Sequence, residues 1–225
     1  MSKNIVLDID ATMVHTHGDD EEFLNLELFT NPKMLKYRPR LYSMELRDVT
    51  SLPGTGEEMT LYGVYRPFLK EFIDFCFEYF DNVIVWSAGK KKYVEKMCEL
   101  MFIDNKKQPL LIYNYDDCGI DDDYIRKPLK KLYDDPRTKG KMNEKNTFVL
   151  DDREDTFALN DGNGILIPEY EAKLTKKALD KNDDNLLKLM AWLSIDVNKE
   201  CKDVRQLDKT RIFELSQKEY EKLLK

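Results

Sequence analysis

An α/β fold with a parallel central sheet is what this sequence predicts, and three observations carry the prediction. Short apolar runs that end in polar residues recur along the chain: NIVL ahead of Asp8, NVIVW ahead of Ser87 and TFVL ahead of Asp151. These runs are continuous rather than alternating, the pattern of strands covered on both faces. Segments with helical apolar spacing separate them, and strand–helix alternation of this kind builds parallel sheets that bind ligands at the carboxyl ends of their strands.

The elements come in order. Asn4 to Leu7 reads as the first strand, and Asp8 and Asp10 arrive where it ends, with Thr12 two residues on. A carboxylate at the mouth of a buried strand is costly unless something pairs with it, and two of them in alternation point to a cation. A polar stretch from His17 to Glu22 precedes an apolar-periodic segment around Phe23 to Leu35. Leu41 to Val49 and Met59 to Val64 read as strands around the turn-rich connector SLPGTGEE, which predicts a β-hairpin outside the main core. Pro67 sits where proline opens a helix, and Phe68, Leu69, Phe72, Ile73, Phe75, Cys76 and Tyr79 give that helix a broad apolar face. Asn82 to Trp86 is the second buried strand and ends at Ser87, Ala88 and Gly89; a helix over about 90–100 comes next. Leu110 to Tyr113 and Thr147 to Leu150 complete the set, the last ending in Asp151 and Asp152.

At 225 residues the chain fits one domain, or one domain with an inserted subdomain. A net charge of −7 argues against a nucleic-acid backbone as the main partner. The four cysteines form no CxxC pair and only two histidines exist, so a zinc site has little to draw on and the thiols read as reduced. The first strand is expected within a few residues of Met1, so no signal segment is expected ahead of it, and no apolar run in the sequence approaches the ~20 residues that span a membrane. The expected setting is cytoplasmic or nuclear.

Three strands thus deliver Asp8 and Asp10, Ser87, and Asp151 and Asp152 to one sheet edge. Phosphoryl transfer through an acyl phosphate suits that set, because an aspartate can take the phosphoryl group and release it to water. The obstacle is charge, since two unit charges 4 Å apart interact by ~4 kcal/mol at an effective dielectric near 20. Magnesium answers it with oxygen ligands: the carboxylates of Asp8 and Asp151 and, by alternation along the strand, the backbone carbonyl of Asp10. The Asp10 carboxyl is then available as acid and base, with Thr12 expected to hold it by a hydrogen bond. Ser87 and neighbouring amides sit where a phosphate oxygen can be bound ahead of a helix N-terminus. Lys127 is the lysine expected to balance the charge, with Lys130 as the second choice.

An isolated DxDxT also fits a strand-end turn with solvated acids, but the ordered set is more specific. It resembles the haloacid dehalogenase superfamily, and within it the small phosphatases that act on the C-terminal domain (CTD) of RNA polymerase II, the FCP/SCP-like group. DIDATMVH at 8–15 is similar to their DLDETLVH; Arg66, Pro67 and Phe72 match an RP-x-x-x-x-F segment; VWSAG at 85–89 corresponds to FTAS; KPL at 127–129 matches KDL; and VLDDREDTFALNDGNGILI at 149–167 matches the acidic pair and the residues after it. DDNLLKLMAWL at 183–193 corresponds to the closing helix. The resemblance implies a single domain over 1–225 with a Rossmann-like core, a hairpin inserted at about 38–65, and magnesium-dependent dephosphorylation of phosphoserine or phosphothreonine in a protein. It makes Asp8 the nucleophile and Asp10 the acid and base, with Thr12 in the same motif. Ser87, Ala88, Lys127 and Arg66 contact substrate, Asp8, Asp10 and Asp151 hold metal, and Asp152 supports from behind. The implied partner is a phosphorylated protein such as the polymerase tail, with no nucleic acid and no membrane.

This chain departs from the pattern at Ala11, Ser87 and Pro128, where relatives carry glutamate, threonine and aspartate. Between the second and third motifs, where relatives carry a basic stretch, it has Asp116, Asp117, Asp121, Asp122 and Asp123. Those acids read either as a solvated loop or as a selector for basic phosphopeptides. Two other functions stay open on sequence: a non-catalytic scaffold of the same fold, and a phosphatase for small metabolites or nucleic-acid ends.

Overall fold

The computed structural model describes residues 2–18, 21, 23, 25–27, 30–47, 56, 58–121 and 124–224. In chain order these form β1 (Asn4–Leu7), β2 (Val14–His17), a 3-10 helix (Pro32–Arg40), β3 (Leu41–Arg47), β4 (Glu58–Tyr65), α1 (Leu69–Tyr79), β5 (Asn82–Trp86), α2 (Lys91–Phe102) and β6 (Leu111–Tyr113). The hairpin strands β7 (Gly119–Asp121) and β8 (Tyr124–Arg126) come next, then α3 (Lys130–Asp134), β9 (Thr147–Asp151), a 3-10 segment (Glu154–Asn163) and β10 (Gly164–Leu166). The chain closes with α4 (Lys176–Leu179), α5 (Asn185–Leu193), α6 (Asp196–Glu200) and α7 (Gln217–Leu223). Positions 48 and 49 of the first expected hairpin strand, most of the SLPGTGEE connector, and positions 19, 20, 22, 24, 28 and 29 of the two segments before the hairpin lie outside the described residues. Among the described residues no helix is long and apolar enough to cross a membrane.

The expected parallel sheet is present, with strand order β10-β9-β1-β5-β6 and every neighbour parallel. Side chains alternate between its faces, which splits the core in two. Ile5, Leu7, Val83, Val85, Phe148 and Leu150 pack with α1, α2 and α5 on one side; Val6, Ile84, Trp86 and Val149 pack with Leu129, Leu132 and Phe157 on the other. From β1 the chain builds outward through β5 and β6, then returns to β9 on the opposite flank. The sheet edge at β1 is therefore the reversal point where such folds bind ligands. Register does the rest: Leu7 pairs with Leu150 and with Val85, so Asp8 and Asp151 leave neighbouring strands side by side.

Two expectations need correction. The hairpin of β3 and β4 forms, but β2 joins it in an antiparallel sheet of order β2-β4-β3. That sheet is not outside the core, because alternation along β3 buries Tyr42, Met44 and Leu46 in the main cluster. Pro67 does not open α1; it forms a turn with Phe68, whose φ of 65° is left-handed, and the helix starts at Leu69. The aromatic run in α1 is core, with Phe72 and Phe77 buried.

Candidate active site

Beyond β1 the chain turns tightly. The amides of Met13 and Val14 both donate to the carbonyl of Ile9, and Ala11 takes a left-handed φ of 57°. The turn is fastened from outside by Tyr170, whose amide donates to the Ala11 carbonyl at 2.7 Å, and by Arg66, whose amide donates to the Met13 carbonyl at 2.9 Å. Asp8 stays at the strand mouth and is buried.

Lys127, between β8 and α3, is 1% exposed and reaches both strand ends. Its Nζ donates to Asp8 Oδ1 at 2.5 Å and to Asp151 Oδ2 at 2.6 Å. Lys130 faces solvent on α3 and pairs with Asp134. Burial works against the Lys127 ammonium, but the two carboxylates outweigh it and hold the amine above its ordinary value. Burial likewise dominates at Asp8, pushing its carboxyl up to about 8 against the pull of Lys127. It raises Asp10 and Asp152 as well.

One ammonium therefore faces more carboxylate than it can neutralise. Asp8, Asp151 and Asp152 each offer an oxygen, and these atoms lie within 4.8 Å of one another. An oxygen-only donor set with excess negative charge fits a hard divalent cation and offers nothing to zinc-type sulfur or imidazole coordination.

The remaining predicted residues divide. Thr12 does not hold Asp10. Its hydroxyl donates to Asp152 Oδ1 at 3.1 Å and accepts the Asp152 amide at 3.1 Å, stitching the turn after β1 to the end of β9. Asp10 is held by other hydroxyls: Tyr93 and Thr16 both donate to its Oδ1, the latter at 3.2 Å. Thr16 in turn lies 2.7 Å from the hydroxyls of both Tyr42 and Tyr93. Burial keeps the phenols of Tyr42 and Tyr93 above their usual range, so both remain donors. With its carboxylate turned to these groups, any share Asp10 takes in cation binding falls to its backbone carbonyl.

Ser87 is buried at the end of β5, where its Oγ accepts the Gly89 amide at 3.0 Å. Ala88 beside it is half-buried. Arg66 is not placed to bind substrate. Its side chain is fully buried and its donors are engaged: Nε and Nη2 on Asp183 at 3.0 Å each, Nη1 on the Thr12 carbonyl at 2.9 Å, and Nη2 also on the Pro168 carbonyl at 2.7 Å. A buried guanidinium needs such partners, and they leave it as a brace behind the turn.

Within the acidic loop, residues Tyr115–Asp117 form a single 3-10 turn capped by Asn114, whose backbone amide donates to Asp117 Oδ2 at 3.0 Å, and Asp117 also pairs with Lys131 at 2.8 Å. Asp116 and Asp121 are exposed, and Asp122 and Asp123 lie outside the described residues. The loop begins against the Ser87–Gly89 turn, where the Tyr115 amide donates to the Gly89 carbonyl at 2.9 Å.

Sequence reasoning missed Thr16, Tyr42 and Tyr93. The only local signal is Gly63 in the middle of β4, since a glycine inside a strand marks a close approach.

Comparison with known proteins agrees with this arrangement. The family model of NLI interacting factor-like phosphatases matches residues 3–205. Ubiquitin-like domain-containing CTD phosphatase 1 of Xenopus laevis is 31% identical over 187 residues, and that of Xenopus tropicalis 29% over 187; each match covers 80% of this chain and 52% of the relative. The chain thus spans about half the length of the curated relatives it matches. Two solved structures share the fold. A variant of fission yeast RNA polymerase II CTD phosphatase Fcp1 bound to beryllium fluoride has a TM-score of 0.61 at 20% identity, covering 76% of this chain and 42% of that one. Fcp1 described as an essential RNA polymerase II CTD phosphatase has a TM-score of 0.59 at 18% identity, covering 92% and 59%. The likeness to both structures is one of fold, with its parallel central sheet.

Proposed function

The chain belongs to the NLI interacting factor-like phosphatase family, and on that basis we propose that it is a phosphoprotein phosphatase that hydrolyses phosphoserine or phosphothreonine through an aspartyl-phosphate on Asp8. Residues 1–225 act in this reading as one domain with the hairpin as its insertion. The observation that carries the reading is Lys127 clamped between Asp8 and Asp151 at the sheet edge that also presents Ser87.

Asp8 attacks phosphorus as the ester oxygen departs, and the Asp10 carboxyl delivers a proton to the leaving alkoxide. Water then attacks the acyl phosphate, and Asp10, now a carboxylate, takes its proton. Lys127 offsets charge on the nucleophile, while Ser87, whose Oγ already accepts the Gly89 amide, has its own hydrogen to donate to a phosphate oxygen. Asp152, tied to Thr12, fixes the end of β9 relative to the turn after β1. Magnesium held by Asp8, Asp151 and the Asp10 carbonyl would neutralise the repulsion between carboxylates and phosphate.

The relatives are named as CTD phosphatases, and on that likeness the phosphorylated tail of RNA polymerase II is the first substrate to try. The deciding experiment is phosphate release from an aryl phosphate with magnesium and with excess chelator, for wild type and Asp8→Asn. Metal-dependent turnover that disappears in the folded variant is the expected result. A folded wild type that turns over nothing yet binds phosphopeptide makes this a scaffold.

A further inference from the structure

The surroundings of Asp10 support an inference that rests on its reading as acid and base. Oδ1 accepts from two hydroxyls, Tyr93 on α2 and Thr16 on β2. Thr16 Oγ1 also contacts the Tyr42 hydroxyl on β3 at 2.7 Å. The three hydroxyls have three hydrogens for four contacts, because Thr16 Oγ1 also lies 2.7 Å from the Tyr93 hydroxyl; with Thr16 and Tyr93 donating to the carboxyl and Tyr42 donating to Thr16, the Thr16–Tyr93 contact is the one that holds no hydrogen. The two donations to the carboxyl thus fall on the same oxygen, Oδ1, and fix the plane in which the carboxyl lies.

The cradle depends on an absence. Gly63 on β4 stands directly opposite Tyr42 in the antiparallel register. A Cβ built at Gly63 would lie 2.3 Å from Tyr42 Cζ, 2.3 Å from its hydroxyl and 2.6 Å from the His15 carbonyl. Any larger residue there displaces the ring, so the glycine is the slot through which Tyr42 crosses β4 to reach Thr16. The Tyr65 ring, 4.8 Å away between centroids, backs Tyr42.

We propose that Thr16, Tyr42 and Tyr93 are positioning residues that aim the Asp10 carboxyl at the leaving group, and that Gly63 keeps the slot open for Tyr42. The inserted sheet thereby becomes part of the proton-delivery apparatus. The chemistry that exposes this is leaving-group dependence. A serine alkoxide needs a proton as the P–O bond breaks, whereas 4-nitrophenolate departs without one.

The test is kcat/KM, which reports the steps up to phosphoryl transfer, for a synthetic phosphoserine peptide and for 4-nitrophenyl phosphate. Wild type is compared with Tyr93→Phe, Thr16→Val, Gly63→Ala and Asp10→Asn, with folding of each checked by circular dichroism. The ratio of peptide to aryl kcat/KM should fall about tenfold in Tyr93→Phe and further in Asp10→Asn. Equal loss on both substrates, or no loss on either, in folded Tyr93→Phe and Thr16→Val overturns the cradle. If Asp10→Asn itself shows no selective loss, the acid reading fails and takes the cradle with it, a result distinct from failure of the cradle alone. Should Gly63→Ala not fold, the two hydroxyl deletions, which add no bulk across β4, decide the question.

Discussion

Replacing Arg66 by methionine should cost stability and leave substrate affinity alone. The substitution removes a fully buried guanidinium and orphans three acceptors: the Asp183 carboxylate and the carbonyls of Thr12 and Pro168. Removing one partner of a buried ion pair costs about 3–5 kcal/mol, and each stranded acceptor about 1–3 kcal/mol. Asp183 keeps 16% of its side chain in solvent, so water recovers part of this and the net loss should stay near the 3–5 kcal/mol range. For a chain of this size 1 kcal/mol shifts Tm by roughly 2–4 °C, which puts the fall at about 6–20 °C. Thermal unfolding measures it, and kinetics well below the transition report KM on folded protein. The double variant Arg66→Met/Asp183→Leu should recover part of the loss, because it replaces the pair instead of breaking it. A Tm within about 2 °C of wild type together with a raised KM would refute the argument and return Arg66 to the substrate.

Three other outcomes are expected from the same geometry. Lys127→Met leaves Asp8 and Asp151 buried without their shared ammonium, so in chelator at neutral pH urea unfolding should show about 3–5 kcal/mol lost, and added magnesium should restore part of it. In chelator, wild-type stability should decline as pH rises: a carboxyl raised from 3.8 to about 8 binds its proton more tightly when folded, so that contribution is complete below 3.8 and gone above about 8. Asp10 and Asp152 shift the same way, magnesium should flatten the decline, and a pH-independent Tm across that window in chelator would contradict it. Asn at both exposed positions 116 and 121 should weaken any preference for basic over acidic phosphopeptides; an unchanged ratio assigns those acids to solvent.

Much of the site was legible because it is built from strand ends. Apolar runs declare strands locally, and parallel pairing of such runs carries the residues after them to one edge, so Asp8, Ser87 and Asp151 can be found by reading along the chain. The hairpin was legible for a similar reason, although its burial was not, since which face of β3 meets the core depends on where the sheet lies. Choosing between Lys127 and Lys130 required burial, because both are lysines in one basic cluster and only one reaches Asp8 from 119 positions away. Arg66 shows the converse. Its motif looks functional in sequence, and only its four bonds reveal a brace.

Local sequence thus settled the groups that secondary structure places: the carboxylates, the serine turn and the sheet that presents them. The partners of Asp10 came from tertiary packing alone. Tyr93 meets it from 83 residues away, and Tyr42 reaches Thr16 from another strand through a gap left by Gly63. Hydroxyl contacts of that kind arise from close packing of separate elements, and packing leaves no periodicity in the chain for a reader to trace.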